Sequence, residues 1–144
     1  MDLFSRDDVL PGRARRGPVR TILAVDDSRT NLNILGRRLG HLGYLVVLSD
    51  NGPEALDLIA ARGFDLVLLD LVMPVMSGID VLNEIRGSRE TADLPVIMLT
   101  GRSDAAAAVD ALAAGADDHV AKPFDFDVLA ARIDRVVDRA RRIA

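Results

Sequence analysis

The sequence predicts an α/β protein built on a parallel sheet that helices cover on both faces. Two observations support this prediction. Five short apolar runs alternate with five amphipathic stretches from Thr21 onward, and such alternation is typical of strand and helix units in a parallel sheet. The run at residues 66–69 (LVLL) is also apolar at every position. Strands that are buried on both faces show this pattern.

The first two units have clear boundary signals. Residues 22–25 form the first predicted strand, and Ser28 can cap the helix that follows because its hydroxyl can accept an N–H bond of the first turn. The apolar positions of this helix recur three and four residues apart: Leu32, Leu35 and Leu39. Residues 44–48 form the second strand. A helix is predicted over residues 52–61, since Pro53 suits its first turn and Gly63 follows its end.

The other three units continue the pattern. Their predicted strands are residues 66–69, 96–99 and 119–121. The third helix includes residues 79–85, and its inward positions are Val81, Leu82 and Ile85. Asp104 can cap an alanine-rich fourth helix, and Asp125 or Asp127 begins the last one. The last helix is predicted to bury one apolar stripe: Val128, Leu129, Ile133, Val136 and Val137.

Length and composition limit the function classes. The 144 residues are enough for one domain, and the absence of cysteine excludes disulfides, thiolate zinc sites and cysteine nucleophiles. A net charge of −4 argues against general nucleic-acid binding. No apolar run approaches the ~18 to 20 residues that cross a bilayer, and the start of the chain lacks the apolar core of a signal peptide. We therefore expect a cytoplasmic protein that contacts neither nucleic acid nor membrane directly.

The first residues differ in composition from the rest. Residues 1–20 contain five arginines, three aspartates, two prolines and two glycines, with no sustained apolar period. This predicts a flexible basic tail at residues 1–19, ahead of one domain at residues 20–144. A basic arm that docks on an acidic partner is the alternative interpretation.

Polar side chains follow four of the predicted strands. Asp26 and Asp27 follow the first strand, Asp70 the third, Thr100 the fourth and Lys122 the fifth. Ligands of such sheets bind beyond the carboxyl ends of the strands. The fold is therefore expected to bring three carboxylates, a hydroxyl and an ammonium group into one crevice.

The charges of this set suggest its chemistry. Three adjacent carboxylates repel one another, so one of them should hold its proton unless a cation joins them. All-oxygen ligation favours Mg²⁺, with Mn²⁺ as the other choice. Lys122 and Thr100 could then bind a phosphoryl group, and Asp70 becomes the candidate nucleophile. Lys122 is the only lysine beside seventeen arginines, which indicates a position that needs a compact ammonium group.

These residues resemble the receiver domain of bacterial two-component response regulators. The resemblance rests on VDDS at 25–28, LD at 69–70, MP at 73–74 with Gly78, LT at 99–100 and AKPF at 121–124, and it covers about residues 20–142. It implies a flavodoxin-like (βα)5 fold with strand order 2-1-3-4-5. It also implies a regulatory domain rather than an enzyme, which is phosphorylated by a sensor histidine kinase or a histidine phosphotransfer protein.

The resemblance also assigns roles to individual residues. Asp70 would be the phosphoacceptor. Asp27 and Asp70 would ligate Mg²⁺ together with the backbone carbonyl of Val72, and Asp26 would act mainly through bound water. Thr100 would move toward the phosphoryl group, and Lys122, with a cis bond to Pro123, would pair with it.

Three positions depart from the usual family pattern. His119 replaces the Tyr or Phe that often accompanies the threonine shift, so it is either a switch residue or a surface histidine at a strand end. Val72 and Arg102 occupy positions that tune the lifetime of the phosphoryl group in the family, and we expect an altered lifetime of unknown direction.

Several alternatives remain open at this point. No segment for an output module follows the last helix, so a downstream protein partner is expected, unless the chain comes from a larger regulator or hybrid kinase. Both a monomer and a phosphorylation-linked homodimer are compatible with the sequence. A phosphatase of the haloacid dehalogenase type would need a second acid where this chain has Val72. A receiver-like interaction module that acts without phosphorylation is the main alternative.

Overall fold

The computed structural model describes residues 19–101 and 105–143, which form five strands and five helices in strict alternation. The strands are β1 (Thr21–Val25), β2 (Leu45–Ser49), β3 (Leu66–Asp70), β4 (Val96–Thr100) and β5 (Asp118–Ala121). The helices are α1 (Arg29–His41), α2 (Gly52–Ala61), α3 (Gly78–Gly87), α4 (Ala105–Ala113) and α5 (Phe126–Ile143). The predicted tail at 1–19, the cap at Asp104 and the tuning position Arg102 fall wholly or almost wholly outside the described residues.

The strands form one parallel sheet in the order β2-β1-β3-β4-β5. This order confirms the predicted flavodoxin-like fold. Its register sets Asp70 opposite Leu99 and Thr100 opposite Ala121. The carboxyl ends of β1, β3, β4 and β5 are therefore neighbours along one edge of the sheet.

Helices cover both faces of the sheet and divide the core into two layers. Helices α1 and α5 pack on one face, where Ile22, Leu39 and Ile133 are fully buried. Helices α2, α3 and α4 pack on the other face, where Leu69, Leu82 and Met98 are fully buried. Every residue of β3 and β4 is buried, which explains why these strands have no alternating polar positions.

Side-chain caps fix the starts of the first three helices. The side chain of Ser28 accepts the N–H of Asn31 at α1, as predicted, and Asn51 accepts the N–H of Glu54 at α2. Ser77 and Asp80 form a reciprocal capping box at α3. The capping box therefore fixes where the loop between β3 and α3 ends.

Some predicted boundaries and one predicted core residue were wrong. Strand β2 begins after Tyr44, which is buried instead against α5, where its hydroxyl donates to Asp134 at 2.9 Å. Val128 is 48% exposed and does not belong to the buried stripe of α5. Ala130 is buried in the stripe instead of Val128. The side of α5 that contacts the sheet lies almost opposite Val128 around the helix axis.

The second half of α5 is tied to the amino ends of the strands. Arg20, just before β1, pairs with Asp138 at 2.6 Å, and Asp65, just before β3, pairs with Arg141 at 3.4 Å. Both contacts lie at the edge of the sheet opposite the predicted site. Across the described part of the chain, no helix has the length and apolar character that a membrane span requires.

Candidate functional site

Five predicted residues converge at the carboxyl edge of the sheet. Carboxylate oxygens of Asp26, Asp27 and Asp70 lie within 4.8 Å of one another. Asp26 and Asp27 follow β1 directly, and Asp70 is the last residue of β3. Lys122 follows β5 and reaches two of these carboxylates. Thr100 ends β4, in the neighbouring strand.

The three carboxylates differ in exposure and in hydrogen bonding. Asp26 is 1% exposed, and its Oδ1 accepts the N–H of Ser28 at 2.9 Å. Asp70 is 8% exposed. Within the described residues, its carboxylate accepts one hydrogen bond, from Lys122. Asp27 is exposed. The cluster therefore combines one buried and well-bonded carboxylate, one nearly buried carboxylate and one that faces solvent.

Lys122 is the cation of the cluster. Its Nζ donates to Oδ2 of Asp26 and to Oδ1 of Asp70, at 3.1 Å in both cases. The Lys122–Pro123 peptide bond is cis, and the backbone N–H of Lys122 donates to the carbonyl of Thr100 at 2.6 Å. The main chain thus links the lysine to the end of β4.

Burial and charge shift two pKa values in this site. Burial raises the pKa of Asp70, and the adjacent carboxylates of Asp26 and Asp27 raise it further, while Lys122 acts against them. Burial lowers the pKa of Lys122, but the carboxylates of Asp70 and Asp26 outweigh burial, so the net shift is upward. Lys122 therefore stays charged, whereas Asp70 is the carboxyl with an increased tendency to hold a proton, in the direction that the sequence predicted for one member of the cluster.

The donor set fits a hard divalent cation. Three carboxylate oxygens lie close enough to share one ion, and no sulfur or imidazole ligand is among them. Such ions favour oxygen ligands and relieve the repulsion between neighbouring carboxylates. The pKa of Asp70 stays raised because burial, together with the carboxylates of Asp26 and Asp27, outweighs the opposing effect of Lys122.

The loop after β3 approaches Asp70 closely. A Cβ at Gly78 would overlap the backbone carbonyl oxygen of Asp70 and lie 2.9 Å from the Cα of Leu71. The N–H of Gly78 donates to the carbonyl of Leu71 at 2.9 Å. Glycine at this position therefore lets α3 begin directly against the end of β3. The sequence identified Gly78 as part of a motif but did not reveal this contact.

The same loop contains a strained and fully exposed residue. Val75 has φ 69°, a left-handed conformation that is unfavourable for a β-branched side chain. The adjacent Met76 N–H donates to the carbonyl of Pro74 at 2.7 Å. The side chain of Val72, two residues after Asp70, is also largely exposed. The loop thus presents apolar side chains, and no charged one, next to the acidic cluster.

His119 lies on β5, three residues before Lys122. Its side chain is partly buried, and its Nδ1 has no hydrogen-bond partner among the described residues. The preceding Asp118 accepts the N–H of His119 and pairs with Arg132 of α5 at 3.0 Å. No hydrogen bond within the described ranges joins His119 to the five clustered residues, so its predicted switch role is not tested by these contacts.

Sequence reasoning missed one residue beside the cluster. Nδ2 of Asn31, in the first turn of α1, lies 3.4 Å from Oδ2 of Asp26. Asn31 also lines a cleft of about 390 Å³ with Asp26, Lys122 and Phe124. The sequence did contain a signal for this contact. Asn31 is five residues after Asp26 and falls in the first turn of α1, the helix that follows β1.

Comparisons with known proteins agree with this fold and indicate a family. A family model described as the response regulator receiver domain matches residues 22–134. The response regulator MprA of Mycolicibacterium vanbaalenii is 43% identical over 122 residues, which cover 85% of this chain and 52% of that protein. The probable transcriptional regulator ycf27 of Guillardia theta is 42% identical over 123 residues, with 85% and 47% coverage. The chain therefore spans about half the length of these relatives.

Solved structures give the same result. A response regulator receiver domain protein from Clostridium thermocellum superposes with a TM-score of 0.82 and 30% identity, covering 88% of this chain and all of that one. The chemotaxis protein CheY4 of Vibrio cholerae gives a TM-score of 0.77 with 30% identity, covering 83% and 99%.

The fold and the acidic cluster define an α/β domain of the flavodoxin-like type with an acidic carboxyl edge. More specifically, the chain belongs to the receiver domain family of two-component response regulators. This confirms the family resemblance that the sequence motifs indicated.

Proposed function

We propose that this chain is a phosphorylation-dependent switch in which Asp70 accepts a phosphoryl group. The observation that carries the proposal is the position of the Lys122 ammonium, 3.1 Å from both Asp70 and Asp26, two of the three clustered carboxylates. Both oxygens of Asp26 accept hydrogen bonds, and Asp27 has no lysine beside it in the described contacts. Asp70 has one oxygen, Oδ2, that accepts no hydrogen bond within the described residues, so it is the best placed nucleophile.

The phosphodonor is a phosphohistidine of a sensor kinase or a phosphotransfer protein. An oxygen of Asp70 attacks phosphorus, a P–O bond forms, and the P–N bond to the donor imidazole breaks. The imidazole leaves with the electron pair of that bond and takes up a proton. The raised pKa of Asp70 means that the carboxylate must be kept ionised for this attack, and Lys122 favours the ionised form.

Lys122 and Thr100 bind the transferred group. The ammonium of Lys122, already 3.1 Å from Oδ1 of Asp70, pairs with a phosphoryl oxygen, and the buried hydroxyl of Thr100 donates to another. Since the backbone of Lys122 is bonded to that of Thr100, a shift at either residue is transmitted to the other. The moved Thr100 would then change the surface near His119, which a downstream protein or a second copy of the chain recognises.

The carboxylates of Asp26, Asp27 and Asp70 and the backbone carbonyl of Val72 would hold a Mg²⁺ ion, and Mn²⁺ could replace it. When bound, the ion would supply positive charge that offsets the charge of the phosphoryl oxygens. The cluster geometry supports a divalent cation in general, and the choice of Mg²⁺ follows from the need to share phosphoryl oxygens. We place the protein in the cytoplasm, where kinase domains of this class act.

Intact-mass spectrometry after incubation with acetyl phosphate and Mg²⁺ tests the proposal. The wild type is expected to gain one phosphoryl group only when Mg²⁺ is present, and Asp70→Asn should gain none. Asp57→Asn, which changes an exposed aspartate on α2, is the matched control and should behave as the wild type.

Two results would contradict the proposal. An adduct that persists in Asp70→Asn would place the phosphoacceptor elsewhere. No adduct from acetyl phosphate or from a phosphorylated kinase domain, combined with no Mg²⁺ binding by calorimetry, would favour an interaction module that acts without phosphorylation.

A further inference from the structure

Asp26 is a buried carboxylate that accepts hydrogen bonds from three donors. The backbone N–H of Ser28 donates to Oδ1 at 2.9 Å. Lys122 Nζ and Asn31 Nδ2 both donate to Oδ2, at 3.1 and 3.4 Å. With 1% of Asp26 exposed, water cannot easily replace a donor that leaves. An ionised group in such a position is costly when its partners are lost.

Phosphorylation would draw away the charged donor of this set. Lys122 is shared between Asp26 and Asp70, and its pairing with a phosphoryl oxygen on Asp70 weakens its bond to Asp26. Among the described side chains that donate to Oδ2 of Asp26, only the amide of Asn31 then remains. Without that amide, Oδ2 would hold Lys122 more strongly and oppose its movement.

We propose that Asn31 is a positioning residue for phosphorylation, which acts by holding Oδ2 of Asp26 so that Lys122 is released toward Asp70. This inference rests on the proposed function. It concerns a residue outside the five that the family motifs identify in this chain.

The local structure holds Asn31 in place for this role. Its backbone N–H is bonded to Oγ of Ser28, the cap of α1, and the backbone N–H of Ser28 is bonded to Asp26. Asp26, Ser28 and Asn31 therefore form one hydrogen-bonded unit at the start of α1. The side chain of Asn31 lies in the same cleft as Lys122, where its amide can follow Asp26 while the ammonium shifts.

Three variants separate this role from a structural one. Asn31→Ala removes the donor, and Asn31→Asp keeps the shape but replaces the donor by an acceptor. Asn33→Ala, an exposed position on the same helix, is the matched control. An aspartate in the first turn of a helix is favourable for stability, so a defect in Asn31→Asp cannot be attributed to a weaker helix. Unfolding by urea checks that all three variants are folded.

The first measurement is the rate of Asp70 phosphorylation by acetyl phosphate at saturating Mg²⁺. Because this contact is long, at 3.4 Å, its loss should cost no more than a typical hydrogen bond, which predicts a rate about three- to tenfold lower in Asn31→Ala. Asn31→Asp should be at least as slow, because its carboxylate also attracts Lys122. Asn33→Ala should match the wild type.

The second measurement needs neither Mg²⁺ nor phosphodonor. Lys122 is the single lysine, so lysine labelled with ¹⁵N at Nζ gives one side-chain resonance that comes from this site. Removal of Asn31 is expected to shift that resonance, because Asp26 then holds the ammonium more tightly. Asn33→Ala should leave it unchanged.

The two measurements distinguish failure of the inference from failure of the proposed function. If the wild type is phosphorylated but both Asn31 variants react as fast as Asn33→Ala, Asn31 has no positioning role, whatever the lysine resonance shows. An unmoved resonance in both variants would equally overturn the contact on which the role depends. If the wild type is never phosphorylated, the proposed function fails and the role of Asn31 in phosphorylation fails with it.

Discussion

Lys122→Met should destabilise the metal-free protein at neutral pH. The change keeps a side chain of similar length but removes the ammonium that lies 3.1 Å from both Asp26 and Asp70. Removal of one partner of a fully buried ion pair costs about 3–5 kcal/mol. Because 29% of the Lys122 side chain is exposed, water offsets part of the loss, and we expect about 2–3 kcal/mol in the free energy of unfolding.

The pH dependence of this loss has a defined sign. The pKa of Asp70 is already raised in the folded protein, and removal of Lys122 raises it further. A raised carboxyl pKa favours folding at low pH, and this contribution is lost as the pH increases through the folded pKa. The difference between Lys122→Met and the wild type should therefore be large at pH 7 and shrink as the pH falls. Mg²⁺ at pH 7 should also reduce it, because a bound cation replaces the lost charge.

Urea unfolding at several pH values, with EDTA or with Mg²⁺, measures these effects. The double variant Asp26→Asn with Lys122→Met is the control, because it removes one carboxylate together with its cation and should recover part of the stability. If Lys122→Met in EDTA at pH 7 is as stable as the wild type to within about 0.5 kcal/mol, the reasoning is refuted.

Three further predictions concern the same domain. Asp70→Asn should increase the free energy of unfolding in EDTA at pH 7, because burial and adjacent carboxylates raise the pKa of Asp70. This gain in stability should vanish near pH 3, and urea titrations at both pH values check this. Gly78→Ala should cost about 1–3 kcal/mol through overlap with the end of β3, whereas Gly40→Ala, with open space at its Cβ, should add up to about 1 kcal/mol. If thermal unfolding gives Gly78→Ala and Gly40→Ala the same stability, the close contact between Gly78 and the end of β3 is contradicted. Ile133→Ala should cost about 2–5 kcal/mol, and Val128→Ala, at 48% exposure, less than about 0.5 kcal/mol; similar losses would restore Val128 to the core.

Much of the fold could be predicted because its signals are local. Unbroken apolar runs mark the buried strands, and hydroxyl caps such as Ser28 mark helix starts. The error at Val128 has a physical cause. An apolar side chain next to Leu129 on the helix surface is compatible with two orientations of α5, and only contact with the sheet selects between them. Tyr44 was placed in a strand because it begins the apolar run at residues 44–48, but its hydroxyl is hydrogen-bonded to α5.

The residues of the candidate site could be predicted, but the hydrogen bonds between them could not. Carboxyl ends of neighbouring parallel strands meet at one edge, so Asp26, Asp70 and Lys122 had to lie close together. The sequence could not show that Lys122 bonds to both carboxylates equally, or that Asn31 joins them. Such contacts depend on side-chain rotamers and on the angle at which α1 leaves β1, which no pattern of residue types encodes.

The ion pairs between α5 and the amino ends of the strands affect how this domain can be joined to other domains. Arg20 and Asp138 are in direct contact, so the chain enters and leaves the domain at nearly the same place. That place is separated from Asp70 by the length of a five-residue strand, about 16 Å. A segment that joins the domain next to Arg20 or at the end of α5 would therefore start away from the acidic edge and leave that edge accessible to a partner protein. A short linker that joins residue 19 to the end of α5, with the chain opened elsewhere, should likewise preserve the architecture.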